Sequence, residues 1–385
     1  METFLGYARP DGTAGIRNHI AIIPSVACAN GVVAAISRAV PEAVPLYHGH
    51  GCGRAIEIDL HTRTLVNLGK HPNVAGVLVI GLGCEVIKAE KLASQIATVK
   101  KPVEHLVIQQ EGGTRKTTEK GIAIISKMLV EARKMERTAC PLDQIILGLE
   151  CGGSDAFSGV TANPSVGLAA DWLVDAGGTV ILTEDTEMIG TDHILARRAI
   201  NSEVADKITK MVADAEKLTR DLLGPLAPYV IAPGNMDGGM SSIREKSLGC
   251  IVKAGTRPIT QVIDYGQAPS EKGLVLMDAP GYDTESMTGV AAGRCQVMIF
   301  TTGRGNPIGF PIVPVIKVAS TTQMYRSMED DMDINAGVIL EGGSLQEVGN
   351  EIIGFIRKVL DGRQAKAEIN RQDGILCLYT LHPSF

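Results

Sequence analysis

Aromatic residues are scarce in this chain, making up 4% of its 385 residues, with a single tryptophan. Long basic runs are missing too, and the net charge is -6, which argues against nucleic acid as a partner. No apolar run reaches the roughly 20 residues of a membrane span, and the first residues lack the apolar stretch of a signal peptide. We therefore expect a soluble, cytoplasmic protein that binds neither nucleic acid nor membrane.

Cysteine is also sparse. Eight cysteines in a chain of this length are too few for a disulfide scaffold, so free thiols or metal ligands are the better interpretation. Glycine, in contrast, is plentiful at 43 residues, and apolar residues make up 45% of the chain. This composition predicts a large packed core, many tight turns and one to three domains.

Short apolar runs alternate with helical patterns along most of the chain, and this alternation predicts an α/β fold with parallel sheets. We expect Rossmann-like layers in two consecutive domains, 1–138 and 139–385. The first 18 residues look like a polar lead-in, and residues 225–237 like a loop. The predicted strands are 19–27, 43–47, 74–81, 103–109, 144–147, 180–182, 261–264, 274–278, 297–300 and 313–318, and the clearest predicted helices are 117–137, 202–223 and 345–360.

A glycine-rich turn at residues 147–167 follows one of these strands and precedes a predicted helix. Proteins with α/β folds place ligand sites at such strand ends. Glycines would let backbone amides approach a bound anion closely. The turn carries more polar chemistry than packing requires, namely Glu150, Cys151, Ser154, Asp155, Ser158, Thr161 and Asn163.

Four cysteines occupy the same kind of position, each after an apolar run and one or two small residues. Because parallel strands present their carboxyl ends on one edge, these thiolates are expected to converge and to bind iron or zinc. A metal ion that catalyses an elimination reaction needs one coordination position left open for the substrate. The competing interpretation is ordinary core, since cysteine often behaves as a small buried hydrophobe. The four are Cys28, Cys52, Cys84 and Cys151, whereas Cys140, Cys250, Cys295 and Cys377 lack this context.

Two histidines are candidates for acid–base chemistry: His50, between glycines beside Cys52, and His193, which follows an acidic stretch. Three cations, Arg17, Lys246 and Arg304, lie in or next to turns rich in glycine, serine or asparagine. Arginine can clamp a carboxylate through two parallel hydrogen bonds. The alternatives are structural histidines and ordinary surface charges.

A series of short motifs runs in order along nearly the whole chain. They include His48-Gly-x-Gly-Cys52-Gly53, Gly81-Leu-Gly-Cys84-Glu85, Glu150-Cys-Gly-Gly-Ser-Asp155, Phe300-Thr-Thr-Gly-Arg-Gly305 and Asp331-Met-Asp-Ile-Asn-Ala-Gly337. With these motifs the chain resembles the large catalytic region of the altronate/galactarate dehydratase family. It also resembles the large subunit of sulfolactate sulfo-lyase, which expels sulfite instead of water.

The resemblance implies a hydro-lyase that converts a sugar acid to a 2-keto-3-deoxy acid. The implied cofactor is ferrous iron, or an iron–sulfur cluster with an open iron position. Family members commonly carry a small β-clip domain ahead of this region. Because the chain starts directly at Gly6-Tyr7, we expect that domain on a separate small subunit, and we also expect a homo-oligomer of this chain.

Residue roles follow from the resemblance together with the residue chemistry. The alternative to an enzyme is a non-catalytic binding or scaffold subunit. A nucleotide-dependent enzyme is disfavoured because no G-x-G-x-x-G or Walker pattern follows a strand. We assign the metal to Cys28, Cys52, Cys84 and Cys151, catalysis to His50, His193, Glu150, Asp155, Glu184 and Lys246, and binding of the hydroxy-acid substrate to Arg17, Asn18, Ser154, Asn163 and Arg304.

Overall fold

A computed structural model describes residues 2–54, 56–229, 231–374 and 376–382 of the chain. Its strands are β1 (Thr3–Ala8), β2 (Ala14–Gly15), β3 (His19–Pro24), β4 (Ala43–Pro45), β5 (Val74–Gly81), β6 (Val103–Val107), β7 (Thr138–Pro141), β8 (Ile146–Cys151), β9 (Thr179–Leu182), β10 (Ile259–Ile263), β11 (Gly273–Met277), β12 (Val297–Thr302), β13 (Val315–Ala319) and β14 (Ile334–Asn335). Its α-helices are α1 (Asn30–Ala39), α2 (Ile58–Lys70), α3 (Ala89–Ala97), α4 (Ile108–Glu111), α5 (Thr114–Ala132), α6 (Ala162–Asp175), α7 (Asp192–Ala196), α8 (Ser202–Leu223), α9 (Pro233–Asp237), α10 (Ile243–Cys250), α11 (Asp283–Ala292), α12 (Thr322–Ser327), α13 (Leu345–Leu360) and α14 (Lys366–Ile369).

The first parallel sheet has four strands in the order β4-β3-β5-β6. Successive residues of β3 bury their side chains on opposite faces, as the period of two in a strand requires. Ile20 and Ile22 pack into the core on the side of α1 and α5, and Ala21 and Ile23 into the core on the side of α2 and α3. Helices therefore cover both faces, which explains the nearly unbroken apolar runs of these strands.

The second parallel sheet has seven strands in the order β10-β11-β9-β8-β12-β13-β14. One face packs against α6, α8 and α13, and the other against α11. The predicted α/β fold with parallel layers is confirmed. Among the described residues, no helix is both long and apolar enough to cross a membrane.

The two sheets share one apolar cluster. Ile23 and Leu65 from the first sheet unit and Met277 and Phe300 from the second are fully buried in it, and α2 packs against α11. The division into domains at residue 138 stays a prediction.

A third, antiparallel sheet in the order β2-β1-β7 was not predicted. Strand β1 buries only alternate residues, and its partner β7 lies more than 130 residues away in sequence. The predicted loop at 225–237 is partly wrong, because a 3-10 helix (Gly224–Tyr229) and α9 occupy much of it.

Arg17 ties the start of the chain to its C-terminal part. All five N–H groups of its guanidinium are used, two of them on the carboxylate of Glu368 at 2.8 Å and three on backbone carbonyls. Arg17→Lys cannot reproduce this fork. We expect the free energy of unfolding of this variant, measured in urea, to be lower than that of the wild type by about 2–3 kcal/mol. Arg220→Lys is the control, because Arg220 is exposed and pairs with Glu216. Equal effects of the two substitutions would contradict the structural role of Arg17.

Candidate functional site

Strand β8 is where the order of the second sheet reverses. Strands β9, β11 and β10 lie on one side of it, and β12, β13 and β14 on the other. Open α/β sheets bind ligands at the carboxyl ends of strands beside such a reversal. Strand β8 ends at Cys151, so the Glu-Cys-Gly-Gly-Ser-Asp turn lies at the expected place for a ligand.

Hydrogen bonds hold this turn in a fixed conformation. Gly153 has a positive φ of 60°, and its carbonyl accepts two backbone N–H groups from the turn after β12, at 3.0 and 2.7 Å. Asp155 accepts from Ser158 through one carboxylate oxygen and from the Ser320 hydroxyl, at 2.9 Å, through the other. Asp155 therefore anchors the turn with both of its oxygens.

Beneath the turn lies a buried ionic cluster, which we define as Glu184, Glu187, Lys246 and Lys253. The ammonium of Lys253, 1% exposed, is 3.2 Å from Glu184 Oε2 and 3.9 Å from Glu187 Oε2. Lys246 forms a close ion pair with the other oxygen of Glu187. Glu184 also accepts the backbone N–H of Cys151, at 3.1 Å. Charges this deeply buried are costly unless they are paired or serve a function.

Two thiols adjoin this cluster. The Cys151 thiol donates to Glu187 Oε2 at 2.7 Å and lies 3.6 Å from the Cys250 sulfur. Groups of three histidine, cysteine, aspartate or glutamate side chains can bind a metal ion when their ligand atoms lie close together. Within the described part of the chain, one such group has all its ligand atoms within 4.8 Å of one another, namely Cys151, Glu187 and Cys250. We call them the thiol–carboxylate group.

The thiol–carboxylate group is chemically suited to a metal ion. Thiolate and carboxylate donors together suit zinc or iron. Two further buried carboxylate oxygens nearby, Glu184 Oε1 and Glu150 Oε2, find no hydrogen-bond partner among the residues that the structure describes. Such orphaned oxygens are costly in a buried site, and a cation beside them would offset that cost.

Glu184 has a strained backbone. Its φ of 69° places a non-glycine residue in the left-handed region, which costs about 1–3 kcal/mol and concentrates at functional sites. The strain places the carboxylate against both Lys253 and the end of β8.

The carboxyl groups of the site differ in their acidity. Burial would raise the pKa of Glu187, but Lys246 and Lys253 outweigh it and lower that pKa to about 2. Burial, joined by the nearby Cys151 and Glu187, raises the pKa of Glu184. Divergent environments of this kind separate charged groups from proton-holding groups within one site.

A row of three side chains crosses adjacent strands on one face of the sheet: Glu150 on β8, Phe300 on β12 and Lys317 on β13. All three are fully buried. Lys317 Nζ lies 3.5 Å from the centre of the Phe300 ring and has no hydrogen-bond partner in the described part of the chain. Glu150 accepts from the Ser286 hydroxyl at 3.0 Å through Oε1. Burial lowers the pKa of Lys317 to about 7, against the opposing influence of Asp283 and Asp333.

Two family models match consecutive parts of the chain. "D-galactarate dehydratase/Altronate hydrolase, second domain" matches residues 6–133, and "D-galactarate/Altronate dehydratase, C-terminal" matches residues 142–382. The chain belongs to the galactarate/altronate dehydratase family. The turn, the buried ionic cluster and the row all lie in the C-terminal match of this dehydratase family.

Relatives within the family agree with this membership. Altronate dehydratase of Bacillus subtilis (strain 168) is 38% identical over 381 residues, covering 96% of this chain and 76% of the relative. Galactarate dehydratase (L-threo-forming) of Escherichia coli (strain K12) is 36% identical, covering 94% and 73%. The (2R)-sulfolactate sulfo-lyase subunit beta of Chromohalobacter salexigens is 34% identical, and the match covers 95% of this chain and 95% of the relative.

Eight of the residues predicted from the sequence lie around the end of β8. Asn163, for example, donates to the carbonyl of Gly249 at 2.8 Å, next to Cys250, and the Ser154 hydroxyl points to the Cys151 sulfur at 3.7 Å. Their functional roles stay predictions. The eight are Glu150, Cys151, Ser154, Asp155, Asn163, Glu184, Lys246 and Arg304.

The other predicted residues lie elsewhere. Arg17 has no free donor, and Asn18 binds Arg9 and the carbonyl of Ala132. His193 is exposed on α7, with Asp192 as its neighbour at 3.9 Å. The remaining four, Cys28, Cys52, Cys84 and His50, lie at the carboxyl edge of the first sheet.

Sequence reasoning missed Cys250, Lys253 and Lys317 as site residues. Cys250 is the last residue of α10 and Lys253 lies in the 3-10 helix that follows, so no strand-end signal marks them. Lys317 did carry a signal, because it is the one charged residue inside the apolar run predicted as strand 313–318. A charge within a strand buried on both faces needs a partner or a function.

Proposed function

We propose that this chain is the catalytic subunit of a hydro-lyase that removes water from a sugar acid such as altronate or galactarate, giving a 2-keto-3-deoxy acid. One observation supports it most: among the described residues, the buried ammonium of Lys317 and one carboxylate oxygen of Glu150 have no hydrogen-bond partner, in a member of a dehydratase family. Buried polar groups that fold without partners are candidates for binding a polar substrate.

The reaction begins with the weakly acidic proton next to the substrate carboxylate. Arg304 and Lys246 neutralise that carboxylate, which makes the proton easier to remove. Lys317, as the base, takes the proton. Gly152 packs closely beside the Phe300 ring, since a side chain there would collide with Phe300 and Asp283.

The hydroxyl on the neighbouring carbon then leaves as water with a proton from Glu150. Ser286 orients this acid. The resulting enol becomes the 2-keto product by moving its own proton from oxygen to carbon 3. Transfer of one proton from Lys317 to Glu150 restores the starting state, so atoms and charge balance.

Iron is the cofactor we propose, as Fe(II) or as a cluster iron with an open position. Cys151, Glu187 and Cys250 would hold an ion in this site, with Glu184 beside them. When bound, the metal would supply Lewis acidity to a poor leaving group.

Release of sulfite from sulfolactate is the second candidate. The observation favouring it is the relative itself: the (2R)-sulfolactate sulfo-lyase subunit beta is 34% identical to this chain over 371 residues. Proton removal is the same in both reactions. The "subunit" in that relative's name also supports our proposal of a separate small subunit with a β-clip domain, alongside a homo-oligomer of this chain.

The test is a substrate screen under anaerobic conditions. The chain, alone and with the small subunit, is incubated with altronate, galactarate and sulfolactate, and keto acid and sulfite are measured. We expect keto-acid formation from a sugar acid without sulfite release. Sulfite and pyruvate from sulfolactate alone would establish the second candidate, and no turnover by any combination would reject both.

Metal removal should abolish turnover. Chelation followed by gel filtration is expected to lower the rate by at least roughly 10²-fold, and Fe(II) should restore it. Cys250→Ser should bind iron more weakly, as measured by metal content, with Cys140→Ser as the control thiol outside the site. Full activity in protein shown to be free of metal would contradict the role of iron.

A further inference from the structure

Two cysteines that lie far apart in sequence are in direct contact inside the fold. The sulfurs of Cys151 and Cys250 are 3.6 Å apart, although 99 positions separate the two residues in the chain. Their side chains are 1% and 3% exposed. All eight cysteines of the chain are free thiols, so this pair is present in its reduced form.

The hydrogen bonds of the pair show which thiol donates in the contact. A thiol has one proton to donate, and Cys151 donates its proton to Glu187 Oε2 at 2.7 Å. The Cys151 sulfur is therefore the acceptor in the contact with Cys250, and it also accepts from the Ser154 hydroxyl at 3.7 Å. The two sulfurs face each other, with no room for another group between them.

This separation is short enough for a bond between the two sulfurs. The sulfurs of a disulfide are about 2.0 Å apart, so the pair would have to approach by about 1.6 Å. Rotation of both side chains can share that movement. Cys151 lies at the end of β8 and Cys250 at the end of α10, so neither residue is in the middle of its element.

Burial of the pair decides which oxidation it can undergo. Bulky reagents are excluded, but the side chain of Lys246, which pairs with Glu187, is 12% exposed, so solvent and small oxidants reach the cluster there. An oxidised cysteine sulfur, a sulfenic acid, condenses with a nearby thiol to a disulfide. Here the second thiol is already in contact, and reactants held in contact react far faster than reactants that must first meet.

We propose that Cys151 and Cys250 are a site of reversible oxidation, at which a hydroperoxide converts the two thiols to a disulfide and so prevents the thiol–carboxylate group from binding a metal ion. One sulfur attacks an oxygen of the peroxide, which gives a sulfenic acid and water. The other sulfur attacks the sulfenic acid sulfur, and the hydroxyl leaves as a second water with the remaining thiol proton. Two electrons pass from the sulfurs to the peroxide, and a dithiol reductant reverses the reaction.

Oxidation would remove the metal site without disturbing the charges around it. Metal ions bind cysteine as a thiolate, so a disulfide leaves only Glu187 of the three donors. The ion pairs of Glu187 with Lys246 and Lys253 involve no sulfur and are kept. Loss of turnover on oxidation rests on the proposed function, whereas formation of the bond does not.

The test maps the bond and measures metal binding directly. Full-length protein is freed of metal, its exposed Cys28, Cys52 and Cys84 are blocked with iodoacetamide, and one equivalent of hydrogen peroxide is added. We expect the chain to lose the mass of two hydrogen atoms and to give, on digestion without reductant, a linked pair of peptides containing Cys151 and Cys250. Bound zinc, a metal without redox chemistry of its own, should fall at least roughly 10-fold. Dithiothreitol should restore both thiols and zinc binding.

Serine variants locate the bond. Cys250→Ser should give no linked peptides, while Cys140→Ser, which replaces a buried thiol outside the pair, should give them as the wild type does. The unfolding temperature of the oxidised wild type should be equal to or higher than that of the reduced protein, because the bond closes a long loop. The wild-type peptide map decides the question by itself if a variant does not fold.

Three results would overturn the proposal: both thiols intact after peroxide, sulfinic acid on one of them in place of the bond, or zinc binding that is the same in the reduced and the oxidised protein. A disulfide that excludes zinc from a protein without turnover in either state would support the oxidation site and reject the proposed function instead.

Discussion

Lys317→Met is expected to lower the rate of dehydration by roughly 10²- to 10⁴-fold, the contribution of a general base, without destabilising the protein. The ammonium has no hydrogen-bond partner among the described residues and is fully buried, so methionine removes a desolvation cost that no hydrogen bond offsets. Loss of the cation–π contact with Phe300, about 2 kcal/mol, offsets part of that gain. The free energy of unfolding should therefore be unchanged or higher.

Lys101→Met is the matched control. Lys101 is also a buried lysine, but its ammonium donates to the carbonyls of His71 and Val74, both at 2.8 Å. Its replacement should destabilise the protein and leave the kcat of the folded fraction unchanged. In the wild type, kcat should fall as the pH drops below about 7, because a protonated base cannot act. An active Lys317→Met variant, or one destabilised like Lys101→Met, would show that the residue is structural.

Glu187→Gln is expected to lower the free energy of unfolding by about 3–5 kcal/mol, the cost of leaving buried charges unpaired. Glu187 is the common partner of Lys246 and Lys253. Glutamine keeps the shape of the side chain but not its charge, so Lys246 loses its counterion and Lys253 loses one of its two neighbouring carboxylates. Such a loss is a large part of the stability of a typical protein. Denaturant unfolding at pH 7 measures it.

The pH dependence separates charge from shape. The folded-state pKa of Glu187 is lowered to about 2 from 4.5, so its stabilisation is complete above pH 4.5 and is lost as the pH falls towards 2. The difference between wild type and Glu187→Gln should shrink over that range. Glu203→Gln, in an exposed pair with Lys207 at 2.8 Å, should cost about 0.5 kcal/mol or less. A comparable loss in both variants would disprove the buried ion pairing.

The parallel layers of this fold could be predicted because doubly buried strands and amphipathic helices leave regular patterns. Strand β5 and helices α8 and α13 have the predicted bounds. The pairing of β1 with β7 could not be predicted in this way, because it depends on contacts between distant segments. Helix α11, buried on nearly every side, shows little periodicity, and its pattern did not mark it as a helix.

The candidate site was predictable where reactive side chains lie at the end of a strand, as Glu150 and Cys151 do. Glu184 lies close to the end of β9 and was found in the same way. Cys250 and Lys253 reach the site from a helix end, and only the folded chain brings them to Cys151. Strand ends also placed Cys28, Cys52 and Cys84 on an edge without showing that it belongs to a different sheet.

The unpartnered ammonium of Lys317 has a consequence for engineering. Laboratory selection for heat resistance would favour replacement of Lys317 by an apolar residue, because the replacement removes a buried charge that has no hydrogen-bond partner among the described residues. A screen that scores only survival of the fold would thus remove the proposed base first. Robust descendants of this chain would be expected to be inert unless turnover is selected alongside.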